Sequence, residues 1–480
     1  PLKDLAQIMD ILNLCAEKVN EQEAFIEPVC ELIKLCGLPF QKKKFSDEVN
    51  YSVAVSKSIA QLGCLMRVPS SQVRIQICKC IISFYKMELP KKLLPGYQPT
   101  SADYKIQMAE LGGLAETLVL SLALVENQLT EKLWVLKALQ HLSNSGVNCR
   151  HMIKAQAASR LCLYLNGTDP SGQLVFRSSE ILWNLLENTS KEEVVSQLSS
   201  LECIHALKEI FVDRLINGFR HYDRQLRNDL LVIATLVAEN SAASMILLSE
   251  NDVMPALLYY VKPHKKPGFH DWSAAQYEEL QLHAIAILAS VAPLLVDKYL
   301  SCQANTLLLV FLEWCVGQDP FFGQGNSFHG TGGRGSKLAQ MRYGLRVLKS
   351  VVSLYDDAVN LNLCDQGAIS QLLEILKYAA NKLEQKDDAI LLEIQANILF
   401  ILSVLCENDV HRKELFSYEG VHLLISFLQM DPKKLHSGLG HRRLLFSALD
   451  CLWSCVIGCY IAEDYFLEQQ GIFFLLDLLA

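Results

Sequence analysis

The sequence predicts an all-α protein built from repeated short helices, and two properties of the chain support this. The 480 residues are 51% hydrophobic but only 8% aromatic, and Leu is by a wide margin the most frequent residue, which favours helices over sheets. Apolar residues recur at i, i+3 and i+4 in most segments, the spacing of an amphipathic helix. The chain is therefore long and apolar enough to bury a large helical core.

A repeated pattern identifies the kind of helical fold. A small residue or glycine precedes an apolar run in "ELGGLAETLVLSL", "DQGAISQLLEIL", "QQGIFFLLDLL" and similar strings. These runs stand near positions 113, 158, 203, 253, 304, 367, 420 and 471. A step of about 40–47 residues with two or three helices is typical of armadillo and HEAT repeats. We predict an armadillo/HEAT-like right-handed superhelical solenoid, a single array over 1–480 with about nine or ten repeats.

A longer amphipathic helix alternates with this unit and often ends in Asn, as in "LWVLKALQHLSN" and "NILFILSVLCEN". Asn144, Asn188, Asn240 and Asn408 stand where these helices should stop. Because Asn tolerates the left-handed backbone conformation, we expect these residues to close their helices.

One step of the repeat is longer than the others, at 63 residues between positions 304 and 367. It contains the glycine-rich string "GQGNSFHGTGGRGSK". Removing about 12–15 residues restores the period. We therefore predict a loop insertion at 317–336, between the second and third helices of one repeat.

The same string imitates a phosphate-binding turn, since Gly330 to Gly335 have the spacing G-x-G-x-x-G. A phosphate-binding loop follows a strand directly, and here no strand does so; Ser336 and Lys337 also stand in reversed order. The favoured interpretation is a loop that a partner orders, whereas nucleotide binding is the less favoured alternative. The side chains expected to face the partner are Phe328, His329 and Arg334.

The helix "KLAQMRYGLRVLKSVV" follows the insertion and carries two stripes. The apolar stripe consists of Leu338, Met341, Leu345, Leu348 and Val352. The basic residues Arg342, Arg346 and Lys349 stand at i, i+4 and i+7, and Lys337 begins the helix. Third helices of armadillo repeats line the concave face, so these cations are candidates for binding an acidic partner segment. The alternative is a solvated basic face.

Charge and cysteine usage exclude several classes of protein. A net charge of −8 argues against nucleic-acid binding. The 16 cysteines lie in apolar helical strings, which indicates reduced thiols in a cytoplasmic environment. Cys451, Cys455 and Cys459 share one helix face and are interpreted as core residues rather than metal ligands. No catalytic, cofactor or metal motif is recognised, so the chain is predicted not to be an enzyme.

Further motifs bear on targeting and on peptide binding. No signal peptide is visible, and the apolar runs fall short of about 18 residues, so no membrane contact is expected. Armadillo import receptors carry a W-x-x-x-N array, but the residues four positions after the five tryptophans are Ala138, Glu187, Gln276, Gln318 and Ile457. A soluble armadillo peptide-binding adaptor or transport receptor is therefore the alternative function.

Several longer strings carry a family resemblance: "YKIQMAELGGLAETLV", "DPSGQLVFRSSEILWNLLE" and "DPFFGQGNSFHGTGGRGSKLAQMRYGLR". Over Pro1 to Ala480 the chain resembles the cilia- and flagella-associated protein 69 family. The resemblance implies a non-enzymatic armadillo scaffold in the axoneme, part of the cytoskeleton of motile cilia and sperm flagella. It implies a place in a projection of the central apparatus and a need for the protein in flagellar assembly and motility.

The resemblance also implies partners, namely other central-apparatus scaffolds in a hetero-complex. One of these resembles sperm flagellar protein 2, and the central-pair microtubule is a further candidate. Family members extend beyond both ends, so the chain is expected to be a fragment of a longer one. Around Ser241 to Asn251 it looks shorter than the family pattern, and a gap in the chain is expected near 245–248.

Overall fold

Helix-favouring residues form helices through most of the chain that can be described. The computed structural model describes residues 1–19, 21–44, 49–217, 233, 237, 253–262, 274–317, 337–382, 389–430 and 442–479. Among these residues the strands are β1 (Gln41–Lys43) and β2 (Tyr97–Pro99), a short antiparallel pair in which Gln41 lies opposite Pro99. The predicted all-α class is confirmed.

The chain forms two compact units, Pro1–Ile210 and Phe211–Ala480. In the first unit, which we call unit 1, the described α-helices are α1 (Leu5–Val19), α2 (Ile26–Gly37), α3 (Val49–Cys64), α4 (Ser71–Ser83), α5 (Tyr104–Leu111), α6 (Leu114–Ser121), α7 (Leu129–Leu142), α8 (Gly146–Lys154), α9 (Ala157–Tyr164), α10 (Gln173–Asn188), α11 (Lys191–Leu198) and α12 (Leu201–Asn217), the last of which contains the unit boundary.

Unit 1 repeats a pattern of two short helices followed by a longer one. Helices α5, α6 and α7 form one such group, and α8, α9 and α10 form the next. The longer helices α4, α7 and α10 pack side by side, each against the next in the chain. Their apolar stripes are buried, as the i, i+3, i+4 spacing predicts; examples of fully buried side chains are Ile77, Leu136, Leu139, Leu182 and Leu185.

The second unit, unit 2, continues the pattern. Its described α-helices are α13 (Val253–Leu258), α14 (Ala274–Val291), α15 (Val296–Ser301), α16 (Ala304–Val316), α17 (Lys337–Val352), α18 (Asp357–Asp365), α19 (Ala368–Lys382), α20 (Ala389–Leu405), α21 (Ser417–Leu428), α22 (Arg443–Cys455), α23 (Tyr460–Glu468) and α24 (Gly471–Leu479), and a π-helix spans His411–Phe416. The longer helices α14, α17, α20 and α22 pack in chain order.

We call α4, α7 and α10 of unit 1 and α14, α17, α20 and α22 of unit 2 the long helices. Each long helix follows one or two shorter helical segments. This is the position of the third helix in an armadillo repeat. Side chains on successive long helices are neighbours in space although they lie far apart in sequence. For example, Gln340 Nε2 of α17 donates to Gln281 Oε1 of α14 at 2.9 Å, across 59 residues.

The small residues that mark the sequence repeat lie at a tight turn before the second helix of a group. Gly113 and Gly367 have φ of +67° and +79°, and Gln156, Gln303 and Gln470 occupy the same left-handed region at the matching turns. Glycine populates this region freely, whereas other residues adopt it at a cost. The turn therefore explains why glycine recurs in the pattern and why the following helix begins beside it.

The predicted role of asparagine at the helix ends is wrong for the described residues. None of Asn144, Asn188 and Asn408 has a positive φ, and Asn240 lies outside the described residues. Asn408 Oδ1 instead accepts a hydrogen bond from the Val410 backbone N–H at 2.9 Å. The side chain thus favours the start of the following helix rather than the end of the preceding one, as short polar side chains often do.

Helices α16 and α17 flank the predicted insertion. The first ends at Val316 and the second begins at Lys337, while 318–336 lie outside the described residues. The expected gap near 245–248 lies outside them as well. Within the described residues no single helix is long and apolar enough to cross a membrane; a pair that reaches the length jointly, Tyr104–Leu111 with Leu114–Val125, bends by 63°.

Candidate functional site

Helix α17 carries the predicted basic stripe, and its apolar stripe anchors it. The predicted apolar residues Met341, Leu345, Leu348 and Val352 are fully buried. This burial turns the neighbouring face of α17 toward α20, the next long helix. The stripe therefore lies on a seam between packed helices, where side chains of α20 can reach it.

Lys337 is used by the fold at the end of α16. Its ammonium donates to the carbonyl oxygens of Trp314 and Gly317 at 3.1 and 2.6 Å, and it lies 4.8 Å from the centroid of the Trp314 ring. A cation at the C-terminus of a helix is favourable because the last carbonyls lack helical partners. In this geometry Lys337 holds the end of α16, and its predicted part in partner binding stays a prediction.

Two arginines of α17 share one carboxylate of α20. The Nη2 and Nε atoms of Arg346 lie 2.6 and 2.7 Å from Glu393 Oε1, and Arg342 Nη1 lies 3.7 Å from Glu393 Oε2. Both guanidinium carbons also lie 5.1 Å from the centroid of the Tyr343 ring. The carboxylate and the ring together fix the two cations in place.

Lys349 and Arg443 converge on one neutral oxygen. Lys349 Nζ lies 3.4 Å and Arg443 Nη2 lies 3.2 Å from Asn397 Oδ1, and Lys349 Nζ lies 4.9 Å from the centroid of the Phe400 ring. Burial, and next the positive charge of Arg443, lower the pKa of Lys349. Among the described residues no carboxylate lies within 4.0 Å of either cation.

An open cavity of about 380 Å³ is lined by Arg346, Lys349, Ser350, Ser353, Glu393, Asn397 and Arg443. Arg342 adjoins it through its contact with Glu393. We call this surface the basic groove and define it by Arg342, Arg346, Lys349, Glu393, Asn397 and Arg443. The structure brings together three of the predicted residues there. The remaining candidates, Phe328, His329 and Arg334, lie outside the described residues and stay predictions.

Sequence reasoning missed Arg443, Glu393 and Asn397, although the repeat period contains the necessary signal. Asn397 lies 48 residues after Lys349, and Arg443 lies 46 residues after Asn397. Both separations equal one repeat, so the three residues occupy matching positions on successive long helices. Polar residues one period apart are therefore candidates for contact in an array of this kind.

A second cavity, of about 360 Å³, lies in unit 1 beside Lys105 and is bounded by Phe40, Phe84 and Met87 among others. The Lys105 ammonium donates to the carbonyls of Cys36, Gly37 and Leu38 at the end of α2. Burial lowers the pKa of Lys105 to about 8. The lysine therefore caps α2, and its hydrogen bonds are directed to the fold rather than to the cavity.

The cysteine trio near the chain end packs in the core. Cys451, Cys455 and Cys459 are buried, with the first two sulfurs 3.6 Å apart. Burial raises the pKa of Cys455 well above its usual range, which keeps this thiol protonated. Across the described ranges no group of three or more His, Cys, Asp or Glu side chains is placed to hold a metal ion.

The grouped helices and the contacts between successive long helices define an armadillo-repeat protein. Its residues 1–247 and 241–480 match the family model described as cilia- and flagella-associated protein 69, ARM repeat. The chain belongs to this family, and the predicted armadillo class and resemblance are confirmed.

Curated relatives support the assignment. The human and mouse proteins named cilia- and flagella-associated protein 69 are 55% and 53% identical to this chain over 537 aligned residues. The alignments cover 100% of this chain and 57% of each relative, so the chain spans less than two thirds of their length. A solved engineered protein is 15% identical, with a TM-score of 0.40 over 63% of this chain and 99% of its own.

Proposed function

We propose that this protein is a non-enzymatic scaffold of the axoneme in motile cilia and sperm flagella. It works in a projection of the central apparatus, in the cytoskeleton, and is needed for flagellar assembly and motility. The observation that carries the proposal is the basic groove, an open, charged surface built from three successive long helices. Such a surface suits the holding of a partner segment, because it offers length and charge without an enclosed reaction chamber.

The family supports the same proposal. Its printed name associates the relatives with cilia and flagella, and armadillo arrays present extended surfaces to other proteins. The partners we propose are other central-apparatus scaffolds in a hetero-complex, among them one resembling sperm flagellar protein 2. The central-pair microtubule is a further proposed contact, made through a local basic surface since the whole chain carries a net charge of −8.

The transport-receptor alternative is less well supported by the groove. Import receptors hold basic peptides, whereas the basic groove presents four cations and one carboxylate. Like charges across an interface oppose binding. The missing W-x-x-x-N array points in the same direction.

The test is the behaviour of the tagged endogenous protein in ciliated cells. After the membrane is removed with detergent, we expect the protein to stay with the axoneme through increasing salt and to cross-link to central-apparatus proteins. Release with the soluble fraction at the first detergent step would favour the transport receptor. Cross-links confined to outer doublets would contradict the proposed place in the central apparatus.

A further inference from the structure

We propose that Lys349, Asn397 and Arg443 form a carboxylate-binding pocket that takes an extended acidic segment of a partner protein. The inference deepens the proposed scaffold function and rests on it for its biological setting. The geometry itself stands on the contacts between three helices of unit 2.

The charges in the basic groove are unequal in number. Glu393 is shared by Arg342 and Arg346, so its charge is already committed. Lys349 and Arg443 face each other across Asn397 with only an amide oxygen between them. Two cations held together by one neutral acceptor repel each other, and a carboxylate placed between them removes the repulsion.

Asn397 supplies a second, independent indication. Its side chain is 1% exposed and its Oδ1 atom receives both cations. Its Nδ2 atom is buried and has no hydrogen-bond partner among the described residues. A buried amide nitrogen without an acceptor is unfavourable, and native structures rarely leave one so. An acceptor oxygen brought by a ligand satisfies it.

The shape of the groove selects the kind of ligand. The cavity of about 380 Å³ is open on one side and lined by polar and charged side chains, including Ser350 and Ser353. Arg346 on its wall remains 41% exposed and can meet a second carboxylate beside the first. An extended segment with several acidic side chains fits these features, and the planar guanidinium of Arg443 can bind a carboxylate through two parallel hydrogen bonds.

Binding of a labelled glutamate-rich peptide to the full 480-residue chain, followed by fluorescence anisotropy, tests the proposal. We expect saturable binding that weakens about tenfold in Lys349→Gln and in Arg443→Gln. The same peptide with glutamine in place of glutamate should not bind. Lys413→Gln is the matched control, because Lys413 is an exposed lysine of unit 2 on the π-helix, which packs against α19, α21 and α23.

Four results would overturn the inference. The first is wild-type affinity in a variant that combines Lys349→Gln with Arg443→Gln, and the second is equal binding of the glutamine peptide. The third is an equal loss of affinity in Lys413→Gln, and the fourth is full displacement of the peptide by inorganic phosphate at a concentration equal to that of the peptide. Circular dichroism checks that each variant is folded. If Arg443→Gln fails to fold, Ser353→Glu replaces it in the test. A carboxylate placed at the edge of the cavity should compete with the peptide for the cations and weaken peptide binding.

The outcome is separable from that of the proposed function. If the protein stays in the axoneme but does not bind the acidic peptide, the proposed pocket is contradicted and the proposed scaffold function is not. If it binds the peptide through Lys349 and Arg443 but is released from the axoneme at the first detergent step, the scaffold function is contradicted and the pocket is not.

Discussion

The long helices of unit 1 and those of unit 2 place cations at similar seams but give them different partners. In unit 1, Arg74 of α4 lies 3.1 Å from the carboxylate of Glu131 of α7, and both side chains are at most 10% exposed. In unit 2, Lys349 and Arg443 share only the amide of Asn397. At the seams between long helices, Arg74 with its buried carboxylate belongs to the packing, whereas Lys349 and Arg443 share one neutral acceptor and retain charge for a ligand.

Lys132 of unit 1 is also paired with a carboxylate, although this carboxylate is about half exposed. Its ammonium lies 3.5 Å from Glu126 and 4.4 Å from the centroid of the Tyr164 ring, and the Tyr164 hydroxyl donates to the same carboxylate at 2.9 Å. Glu126 therefore neutralises the lysine and ties it to the ring. These pairs differ from Lys349 and Arg443 in the partner of the cation: in unit 2, Arg342 and Arg346 also have a carboxylate, whereas Lys349 and Arg443 share a neutral oxygen.

The largest expected effect concerns the buried ion pair of unit 1. Glu131→Gln leaves Arg74 buried without a carboxylate and should destabilise the chain by about 3–5 kcal/mol. Urea unfolding followed by circular dichroism measures the loss. Binding of the acidic peptide should be unchanged at temperatures where the variant is folded, because the ion pair lies in unit 1.

The control for this prediction replaces both partners. Arg74→Met combined with Glu131→Leu removes the two charges together and should recover most of the lost stability, since no charge remains buried and unpaired. A double variant as unstable as Glu131→Gln would show that packing, rather than charge, is responsible.

A smaller effect is expected at Lys105, a buried cation of unit 1 with carbonyl partners. Lys105→Met removes the donor for three carbonyls and should destabilise unit 1 by about 1–2 kcal/mol near pH 7. Hydrogen exchange of the amides near the end of α2, followed by mass spectrometry, locates the change. Equal exchange in variant and wild type would mean that the carbonyls find other donors.

The same lysine predicts a pH dependence. Because burial lowers the pKa of Lys105 to about 8 from 10.5, the unfolded chain binds more protons at this site between those values. Stability from this group therefore rises with pH across that window. The advantage of wild type over Lys105→Met should grow from pH 8 to pH 10, and a constant difference would contradict the lowered pKa.

The repeat pattern made the architecture predictable and left the contacts across it unpredicted. The glycine that precedes "AISQLLEIL" marks the left-handed turn at Gly367, and the spacing of such turns reveals the repeat. The partners of Lys349 depend on which residues stand one repeat away, at Asn397, and two repeats away, at Arg443. The alignment of residues on successive long helices can be established only after the helix boundaries are known, because each repeat contains a loop of variable length.

Lys337 shows a second reason why part of the site was not predictable. Its place at the start of a basic stripe suggests a partner, but the preceding helix ends close by with carbonyls that lack helical partners, and Lys337 donates to two carbonyls there. Whether a surface lysine serves a helix end or a ligand depends on tertiary distances of a few ångströms, and a linear pattern does not contain them.

The corresponding substitution in unit 2 is Glu393→Gln. The change frees Arg342 and Arg346 from their shared carboxylate and makes the basic groove more positive. We expect the acidic peptide to bind about fivefold more tightly, which corresponds to about 1 kcal/mol, with a loss of stability of similar size. Anisotropy titration measures the first and urea unfolding the second. Weaker binding would mean that Glu393 orients the arginines for the ligand rather than competing with it.

The smallest effect concerns a feature that the two units share. Gln156 of unit 1 and Gln303 of unit 2 occupy the same turn with φ of +58° and +55°, where Gly113 and Gly367 stand in other repeats. Because glycine adopts this conformation without a steric penalty, Gln156→Gly and Gln303→Gly should each stabilise the chain by about 0.5–1 kcal/mol. Thermal unfolding measures the gain. Gly367→Ala should show a loss of similar size, since its Cβ would meet open space and only the backbone strain would count.

Equal gains in both units would mean that the turn belongs to the repeat architecture that the two units share, and that the units differ at their charged seams. A gain in one unit alone would mean that the turn residue also depends on its surroundings.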